Sequence, residues 1–266
     1  MVKINKQANR KIEEINKNNF YVVLDFDKTL STKNSATTFA LFGKSGFYGD
    51  EYNVKRSKNY DYYRPLELNP NIPSDEKFAL MKKWQEASYQ LMLEYKVRES
   101  DIKKIITTTN LLELREGAVS FINLLNSNDI PLIINSAGCG NFITTILKLN
   151  NCNIDNIYIH SNILEFEDDI VIDSIKDIIH SMNKYDIKLP DYYLDRISGK
   201  RFAVVIGDQL SDLNMANNLE KEEVLSFGFL ESNIDEVQDL FNEEFDVILE
   251  NSESFDSIGK ILKLKK

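Results

Sequence analysis

The chain has 266 residues, enough for one large domain or for a core with a smaller insertion. Its apolar fraction of 42% supports a hydrophobic core, and its charged fraction of 28% does not indicate disorder. The formal net charge of −10 argues against a nucleic-acid-binding protein, and an anionic substrate would need local positive groups or a metal ion to attract it.

Short apolar runs typical of buried strands recur along the chain, and several are nearly continuous rather than alternating. They cover residues 21–24, 130–135, 157–160, 202–206, 224–229 and 246–250. Amphipathic helical patterns at 117–126, 141–149 and 212–219 separate many of them. This alternation predicts an α/β fold with a mostly parallel sheet.

One segment, from about Thr38 to Leu112, breaks this alternation because it contains no convincing strand. Ser74 is a candidate N-cap for a helix over 74–97, and a second helix is predicted at 101–112. One face of the first helix carries side chains at steps of three and four: Phe78, Met81, Trp84, Ser88, Leu91 and Tyr95. We therefore predict a helical cap, residues 39–112, inserted into a discontinuous core of residues 1–38 and 113–266.

Polar residues follow several of the predicted strands, and ligands of α/β sheets bind at the carboxyl ends of strands. Two carboxylates follow the first strand, a serine follows the second at a predicted helix start, and two more carboxylates follow the strand at 202–206. A lysine comes from the loop at 180–186. In chain order these residues are Asp25, Asp27, Ser136, Lys184, Asp208 and Asp212.

This set suits phosphoryl transfer to a carboxylate, in which an aspartate forms an aspartyl phosphate that water then hydrolyses. A Mg²⁺ ion must screen the attack on a phosphate, and Asp25 and Asp208 suit that role. Asp27 projects to the same side as Asp25 and can protonate the leaving alkoxide and later activate water. Ser136, backbone N–H groups near it and Lys184 would hold the phosphate oxygens.

Each piece also has an ordinary interpretation. An Asp-x-Asp-x-Thr sequence occurs by chance, Asp212 and Ser136 read as helix N-caps, and Lys184 reads as a solvated surface lysine. Lys176 is a rival for the loop lysine. The residues support one another because they occur in order, at strand ends or in loops, with none adjacent to another.

Four stretches resemble the motifs of the haloacid dehalogenase (HAD) phosphohydrolase superfamily: "DFDKTLS", "SAG", a loop lysine and "GDQLSD". Longer stretches, among them "YYRPLELNP", "DEKFALMKKWQEAS", "NSAGCGN" and "VVIGDQLSDLNMA", are similar to successive segments of the cytosolic pyrimidine 5′-nucleotidase family. The resemblance covers roughly residues 20 to 260. It implies a HAD-like Rossmannoid parallel core with a helical cap inserted after the first strand.

The resemblance implies specific roles for the core residues. Asp25 would be the nucleophile and Asp27 the general acid and base. Asp25, the backbone carbonyl of Asp27 and Asp208 would hold Mg²⁺, with Asp212 supporting the metal site. Phosphate binding, and for the lysine a catalytic role as well, would come from Ser136, Ala137 and Lys184.

In the cap, the resemblance implies that Glu67 accepts hydrogen bonds from a nucleobase and that Ser88 lies near it. Trp84 shares a helix face with Ser88, so an aromatic contact to the base is expected. Packing within the cap explains Trp84 equally well, because Phe78 and Met81 share its stripe. Glu67 has the alternative of being an ordinary exposed residue.

The chain departs from the family pattern at three places. Asn141 stands where the family has an acidic residue, and Cys139 stands where it has Ile or Val. After the loop lysine the chain has Tyr185-Asp186-Ile187 rather than His-Asp-Gly. None of these differences removes a catalytic group.

The two histidines and one acidic stretch are predicted to have no role in the site. His160 and His180 have no companion at metal-ligand spacing, and the acidic stretch at 165–169 is interpreted as a solvated loop. Cys139 and Cys152 are too few for a disulfide framework or a zinc site.

The first twenty residues lack the apolar stretch of a signal peptide, and no run approaches the roughly 18 apolar residues of a membrane span. We expect a cytoplasmic protein with no membrane partner.

The sequence thus predicts Mg²⁺-dependent hydrolysis of nucleoside 5′-monophosphates, with pyrimidine nucleotides such as UMP and CMP preferred. One alternative keeps the chemistry but changes the substrate to a sugar phosphate, phosphoserine or another small phosphomonoester. An alternative of another class is a binding or regulatory module that keeps the fold without catalysis. The oligomeric state is left open, with a monomer as the default.

Overall fold

The computed structural model describes residues 2–173, 177–230, 234–250 and 254–264. Within these ranges the strands form one seven-stranded sheet and one separate hairpin. In chain order the strands are β1 (Val2–Ile4), β2 (Phe20–Leu24), β3 (Leu132–Cys139), β4 (Ile157–Asn162), β5 (Glu165–Glu167), β6 (Ile170–Ile172), β7 (Phe202–Gly207), β8 (Glu223–Leu230) and β9 (Val247–Glu250).

Helices connect most of these strands. They are α1 (Ala8–Glu14), α2 (Leu41–Lys44), α3 (Gly49–Leu68), α4 (Ser74–Glu94), α5 (Glu99–Thr108), α6 (Ala118–Ser127), α7 (Gly140–Leu149), α8 (Asp191–Ile197), α9 (Ile234–Glu244) and α10 (Phe255–Ile261). Two short 3₁₀ turns lie at Thr38–Ala40 and Leu210–Asn214. None of the helices in the described ranges is long and apolar enough to cross a lipid bilayer.

The large sheet has the strand order β1-β9-β8-β7-β2-β3-β4. Every neighbouring pair is parallel except β1 with β9, so the predicted α/β fold with a mostly parallel sheet is confirmed. β2 lies in the middle, where Val22 faces Leu132 of β3 on one side and Val204 of β7 on the other. The carboxyl ends of β2, β3 and β7 are therefore neighbours.

Both faces of the sheet are covered, which explains the continuous apolar runs. Alternate residues of β2 belong to different clusters: Val22 and Leu24 pack in the larger core, whereas Tyr21 and Val23 pack on the opposite face with α8. All five residues of β2 and all six of β7 are buried. A strand buried on both faces needs apolar residues at every position, so the pattern loses its alternation.

The four helices α2–α5 all lie between β2 and β3. The predicted helix at 74–97 is observed as Ser74–Glu94, and that at 101–112 as Glu99–Thr108. Ser74 is not the N-cap: Pro73, in an extended conformation, occupies that position. Proline fixes φ and leaves Ser74 to begin the helix, so the side-chain cap expected from the sequence does not form.

The chain enters and leaves this helical segment through two adjacent linkers. The Thr32 N–H donates to the Glu113 carbonyl at 3.0 Å, and the Ala36 N–H donates to the Leu111 carbonyl at 2.7 Å. The Arg115 N–H closes the ladder on the Leu30 carbonyl at 2.9 Å. The two ends of the helical segment are thus joined to each other next to the carboxyl end of β2.

Two further sequence expectations are corrected, and one strand was not foreseen. The helix predicted at 212–219 is only the short turn Leu210–Asn214, because the Asp212 carboxylate bonds back to the N–H groups of residues 208 and 209. The acidic stretch at 165–169 is not a solvated loop but part of the β5–β6 hairpin. Asp168 and Asp169 adopt positive φ in its turn, a conformation that aspartate tolerates. β1 was not predicted, since three residues carry too short a pattern.

Candidate active site

Asp25 stands at the carboxyl end of β2, where the strand gives way to a single wide turn, Phe26–Leu30. Its N–H still donates to the Ile206 carbonyl of β7 at 2.9 Å, so the sheet fixes its backbone. Phe26 is fully buried in the core and holds the turn from beneath. The side chain of Arg115 donates to the carbonyls of Lys28 and Thr29 at 2.7 and 2.9 Å. These contacts give the Asp25 carboxylate a rigid mount.

Lys184 reaches this carboxylate from the segment before α8. Its Nζ donates to Asp25 Oδ1 at 2.5 Å and to Asp212 Oδ1 at 3.0 Å. The Lys184 carbonyl accepts a 2.6 Å hydrogen bond from Asn135 Nδ2, and Asn135 Oδ1 lies 3.0 Å from His160 Nδ1. The structure thus brings Lys184 into the site. The rival Lys176 lies outside the described residues.

Asp208 and Asp212 approach from the carboxyl end of β7. Asp212 Oδ2 accepts hydrogen bonds from the N–H groups of Asp208 and Gln209, both at 3.1 Å. Gly207 leaves the space for this side chain, since a Cβ there would clash with Asp212. Thr29 Oγ1 lies 3.4 Å from Asp208 Oδ1. The contact with Thr29 therefore joins Asp208 to the turn that follows β2.

Carboxylate oxygens of Asp25, Asp208 and Asp212 all lie within 4.8 Å of one another. In the coordination sphere of a small divalent cation, opposite oxygens lie roughly 4 Å apart. The cluster offers hard oxygen ligands, and Lys184 supplies one positive charge against three carboxylates. The donor set and its spacing fit a divalent metal ion.

The electrostatics of the cluster favour an added cation. Burial raises the pKa of Asp25 to about 7, although Lys184 opposes the shift. Burial, with the nearby charges of Asp212 and Asp25, also raises the pKa of Asp208 well above its usual range. For Lys184, burial favours the neutral amine, but Asp212 and Asp25 outweigh it and raise the pKa. Lys184 therefore stays protonated, whereas burial and mutual repulsion disfavour the charged forms of Asp25 and Asp208.

Asp27 lies near enough for its charge to act on Asp25 and Asp208, but it makes its side-chain hydrogen bonds with Thr38. The Thr38 N–H donates to Asp27 Oδ1 at 3.0 Å, and the Thr38 hydroxyl donates to Oδ2 at 3.1 Å. Burial raises the pKa of Asp27 to about 6, and both hydrogen bonds from Thr38 oppose that shift. A carboxyl group with this pKa can exchange a proton near neutral pH.

The loop predicted to hold phosphate is part of β3 rather than a helix start, because the strand continues to Cys139 and α7 begins at Gly140. Ser136 Oγ accepts a hydrogen bond from the Gly138 N–H at 3.0 Å. The Ala137 carbonyl accepts from Asn162 Nδ2 at 2.8 Å and from Gln85 Nε2 at 3.3 Å. The loop is thus fixed by β4 and by a residue of α4.

Glu67 of α3 also bonds to the opposite side of the site. One carboxylate oxygen accepts from Ser181 Oγ at 2.6 Å, and the other accepts from the guanidinium of Arg64. Arg64, Glu67 and Ser181 line a cavity of about 540 Å³. A neighbouring cavity of about 680 Å³ shares Ser181 and reaches Lys184. Ser181 thus lines both the cavity at Lys184 and the cavity at Glu67.

Trp84 and Ser88 both lie on α4, where Trp84 packs against α3 and Ser88 bonds within its own helix. The Trp84 ring stacks on Tyr63 with centroids 5.9 Å apart and planes 11° from parallel. The Ser88 hydroxyl donates to the Trp84 carbonyl at 3.0 Å. Among the described residues, neither side chain lines the two cavities. Packing between α3 and α4 accounts for the contacts of Trp84.

The histidines and Cys139 have the environments of structural residues. His180 is buried, its ring meets Phe78 edge-on at 4.5 Å, and its Nδ1 accepts from the Met182 N–H. Burial lowers the pKa of His180 to about 4 and also lowers that of His160. Burial raises the pKa of the Cys139 thiol to about 12, so it is not a reactive thiolate.

Among the contact residues of the site that were missed from the sequence are Thr38, Arg64, Gln85 and Ser181. Arg64 could have been found, because it lies three residues before Glu67 on one helix, a spacing at which side chains meet. Thr38, Gln85 and Ser181 act through contacts made by folding. Their sequence neighbourhoods carry no pattern that would single them out.

Comparison with known proteins identifies the family. A family model described as pyrimidine 5′-nucleotidase (UMPH-1) matches residues 23–265. A Xenopus laevis protein named 7-methylguanosine phosphate-specific 5′-nucleotidase A is 30% identical over 250 residues, which cover 91% of this chain and 86% of that protein. The human protein of that name is 28% identical over 91% of this chain and 83% of its own length. A Caenorhabditis elegans relative named putative cytosolic 5′-nucleotidase 3 is 28% identical over 91% of this chain and 68% of its own.

Solved structures agree in fold. The crystal structure of cytosolic 5′-nucleotidase IIIB bound to cytidine superposes with a TM-score of 0.88 at 25% identity, covering 99% of this chain and 93% of that one. A substrate-bound phosphoserine phosphatase superposes with a TM-score of 0.57 at 17% identity, covering 93% and 98%, which supports the HAD-like fold alone. The relatives described above are named as 5′-nucleotidases. With the family match extending over nearly the whole chain, this protein belongs to the pyrimidine 5′-nucleotidase (UMPH-1) family.

Proposed function

We propose that this protein hydrolyses nucleoside 5′-monophosphates to nucleoside and phosphate through an aspartyl-phosphate intermediate. The observation that carries the proposal is the placement of Lys184 between Asp25 and Asp212, with Asp208 in the same cluster. These groups lie at the adjoining ends of β2 and β7, where α/β sheets bind their ligands. Family membership and the names of the relatives support the same activity.

Asp25 has the role of nucleophile. One of its carboxylate oxygens attacks the phosphorus, a new P–O bond to Asp25 forms, and the P–O bond to the nucleoside breaks. Its backbone is fixed by the sheet and its neighbour Phe26 by the core, so the attacking oxygen loses little freedom in reaching the phosphorus.

Asp27 has the role of general acid and base. In the first step it donates a proton to the departing 5′-alkoxide, which becomes the nucleoside hydroxyl. In the second step it takes a proton from water, whose oxygen attacks the aspartyl phosphate and releases inorganic phosphate. Asp25 and the protonated Asp27 are restored for the next cycle.

Phosphate oxygens are held by Ser136, the backbone at Ala137 and the ammonium of Lys184. The loop carrying Ser136 and Ala137 is anchored by Asn162, and Lys184 is held by its two carboxylate partners. Asp212 orients Lys184 and the backbone at residues 208 and 209. Fixed groups of this kind stabilise charge that develops in the transition state.

We propose Mg²⁺ as the cation, held by Asp25, Asp208 and the backbone carbonyl of Asp27, with Asp212 supporting the site. When bound, it would screen the charge of the phosphate from the carboxylates. The spacing of the carboxylate oxygens and the raised pKa values of Asp25 and Asp208 support a divalent cation here.

Substrate choice is assigned to the helical segment. We propose that residues 39–112 form a cap domain over a core of residues 1–38 and 113–266, and that Glu67 contacts the nucleobase with Ser88 and Trp84 nearby. Two hydrogen bonds between this segment and the core support the arrangement: Ser181 to Glu67 and Gln85 to the Ala137 carbonyl. Glu67 also lines the cavity beside the site.

Two bases compete as the preferred one. The family description and the sequence analysis favour pyrimidines, whereas several relatives are named for 7-methylguanosine phosphate. A rate panel of CMP, UMP, GMP, 7-methylguanosine monophosphate and a sugar phosphate separates these choices. Rates that do not depend on the base would replace the nucleotidase by a general small-phosphomonoester phosphatase.

The test of the mechanism is Asp25→Asn, with Asp195→Asn as its matched control, because Asp195 is an exposed carboxylate on α8. Asp25→Asn should abolish turnover in the presence of MgCl₂ and should keep the wild-type melting temperature or a higher one in EDTA, whereas Asp195→Asn should behave as wild type in both. Near-wild-type turnover by Asp25→Asn would exclude Asp25 as the nucleophile. No turnover of any phosphomonoester by the wild type would favour a non-catalytic binding module. We also propose that the protein is cytoplasmic and monomeric; the relative named cytosolic supports the location.

A further inference from the structure

Thr38 holds both oxygens of the Asp27 carboxylate. Its N–H donates to Oδ1 at 3.0 Å, and its hydroxyl donates to Oδ2 at 3.1 Å. Thr38 is fully buried, so water does not compete for these bonds. Two donors on one residue fix the carboxylate plane as well as its position.

The direction of the Thr38 hydroxyl is set by a third hydrogen bond. Its Oγ1 accepts from the Cys139 N–H at 2.9 Å, so its single proton is left for Asp27. Cys139 ends the strand that carries Ser136 and Ala137. Thr38 therefore ties Asp27 to the loop assigned to phosphate.

Gly138 makes this arrangement sterically possible. A Cβ on Gly138 would clash with Thr38 Oγ1 and would lie 2.8 Å from Asp27 Oδ2. The absence of a side chain at this position lets the hydroxyl enter between β3 and the turn after β2.

We propose that Thr38 is a positioning residue for proton transfer: it fixes the Asp27 carboxyl at a set distance from the phosphate loop, so that the proton meets the leaving oxygen. The inference rests on the proposed function, because it needs Asp27 as the acid. Thr38 also begins the turn that leads into the helical segment, so the acid is held by the residue where that segment starts.

The leaving group of the substrate gives the decisive test. A nucleoside leaves as a strongly basic alkoxide that needs a proton, whereas p-nitrophenol and acetate leave without one. Thr38→Val removes the hydroxyl at nearly constant volume. For the nucleotide of the panel that is turned over fastest, it should lower kcat/KM roughly 10- to 100-fold, with KM within about twofold. For p-nitrophenyl phosphate and acetyl phosphate, kcat/KM should stay within about threefold of wild type.

Thr37→Val is the matched control, because Thr37 is exposed and makes no side-chain cap hydrogen bond. It should leave all rates unchanged. Thr38→Ser keeps the hydroxyl and should restore nucleotide turnover. Thr38→Ala gives the same comparison if the valine variant does not fold.

Four outcomes would count against the inference or against the mechanism on which it rests. Equal losses on nucleotide and activated substrates would assign Thr38 a structural role and overturn the proposal, as would no loss on either. If Asp27→Asn also turns over the nucleotide at the wild-type rate, the proposed mechanism fails instead. An Asp27→Asn variant that is defective on nucleotides only, beside a fully active Thr38→Val, would reject Thr38 alone.

Discussion

Asp208→Asn should make the metal-free protein more stable. Oxygens of Asp208, Asp25 and Asp212 lie within 4.8 Å of one another. Two unit charges at that distance repel by about 3 kcal/mol at an effective dielectric constant of about 20. Asp208 has two such neighbours, and the ammonium of Lys184 offsets part of their repulsion.

A net gain of about 3 kcal/mol is therefore expected when the charge of Asp208 is removed. For a domain of this size it corresponds to a rise in melting temperature on the order of 5 to 10 °C. The asparagine keeps an oxygen that accepts from Thr29, so the variant loses no hydrogen bond. The measurement is thermal unfolding at about pH 8 in EDTA, where Asp25 is ionised, followed by the same measurement in MgCl₂.

In MgCl₂ the order should reverse. At a concentration about 1,000 times its dissociation constant, the ion stabilises the wild type by about 4.1 kcal/mol, and Asp208→Asn should gain less than about 1 kcal/mol. Asp195→Asn should stay within about 0.5 kcal/mol of wild type under both conditions. A variant less stable than wild type in EDTA would refute the charge-repulsion argument.

The sign of the pH dependence follows from the raised pKa values. A carboxyl group with a raised pKa binds its proton in the folded state first, so acidification stabilises the fold between the folded and unfolded pKa values. With Asp25 at about 7, the difference in melting temperature between Asp208→Asn and wild type in EDTA should shrink from about pH 8 to about pH 5. A difference that grows over this range would contradict the reasoning.

Two further substitutions test the neighbourhood of the site. Glu67→Gln should lower kcat/KM for the best nucleotide roughly 10- to 100-fold and leave that for p-nitrophenyl phosphate within about threefold, because only a nucleobase would use the carboxylate; equal effects on both substrates would remove Glu67 from base recognition. Gly138→Ala should cost about 1 to 3 kcal/mol in chemical denaturation, because its methyl group clashes with Thr38 Oγ1. The double variant Gly138→Ala with Thr38→Ala should recover part of that loss, and strict additivity of the two costs would show that the clash is not what destabilises the single variant.

The central sheet could be predicted from sequence because its strands are buried on both faces. The runs at 21–24 and 202–206 are apolar at every position, and the structure places them as neighbours in the middle of the sheet. β1, β5 and β6 could not be found in the same way, because each strand has only three residues and most of them are partly or fully exposed.

Much the same division holds at the site. Strand ends and motif likeness pointed to five residues: Asp25, Asp27, Asp208, Asp212 and Lys184. In the structure Lys184 bonds to Asp25 and Asp212, and Asp208 lies beside them. Asp27 bonds to Thr38 instead. Thr38 escaped because its role depends on contact with Asp27 and Cys139, which are 11 and 101 positions away. A single threonine in a short turn is part of no periodic pattern, so the sequence does not predict these contacts.

The two adjacent linkers of the helical segment define where this protein could be recombined with a relative. Thr32 with Glu113 and Ala36 with Leu111 form a short neck, so the ends of the segment are already held together without it. Helices α2–α5 could be exchanged for those of another nucleotidase while the sheet keeps its closure. A graft would have to leave Thr38 and Arg115 with the recipient, since each bonds the turn after β2. The residues that choose the substrate can therefore change independently of the residues that break the phosphate ester bond. The boundary between the two sets lies just inside the neck formed by Ala36 and Leu111.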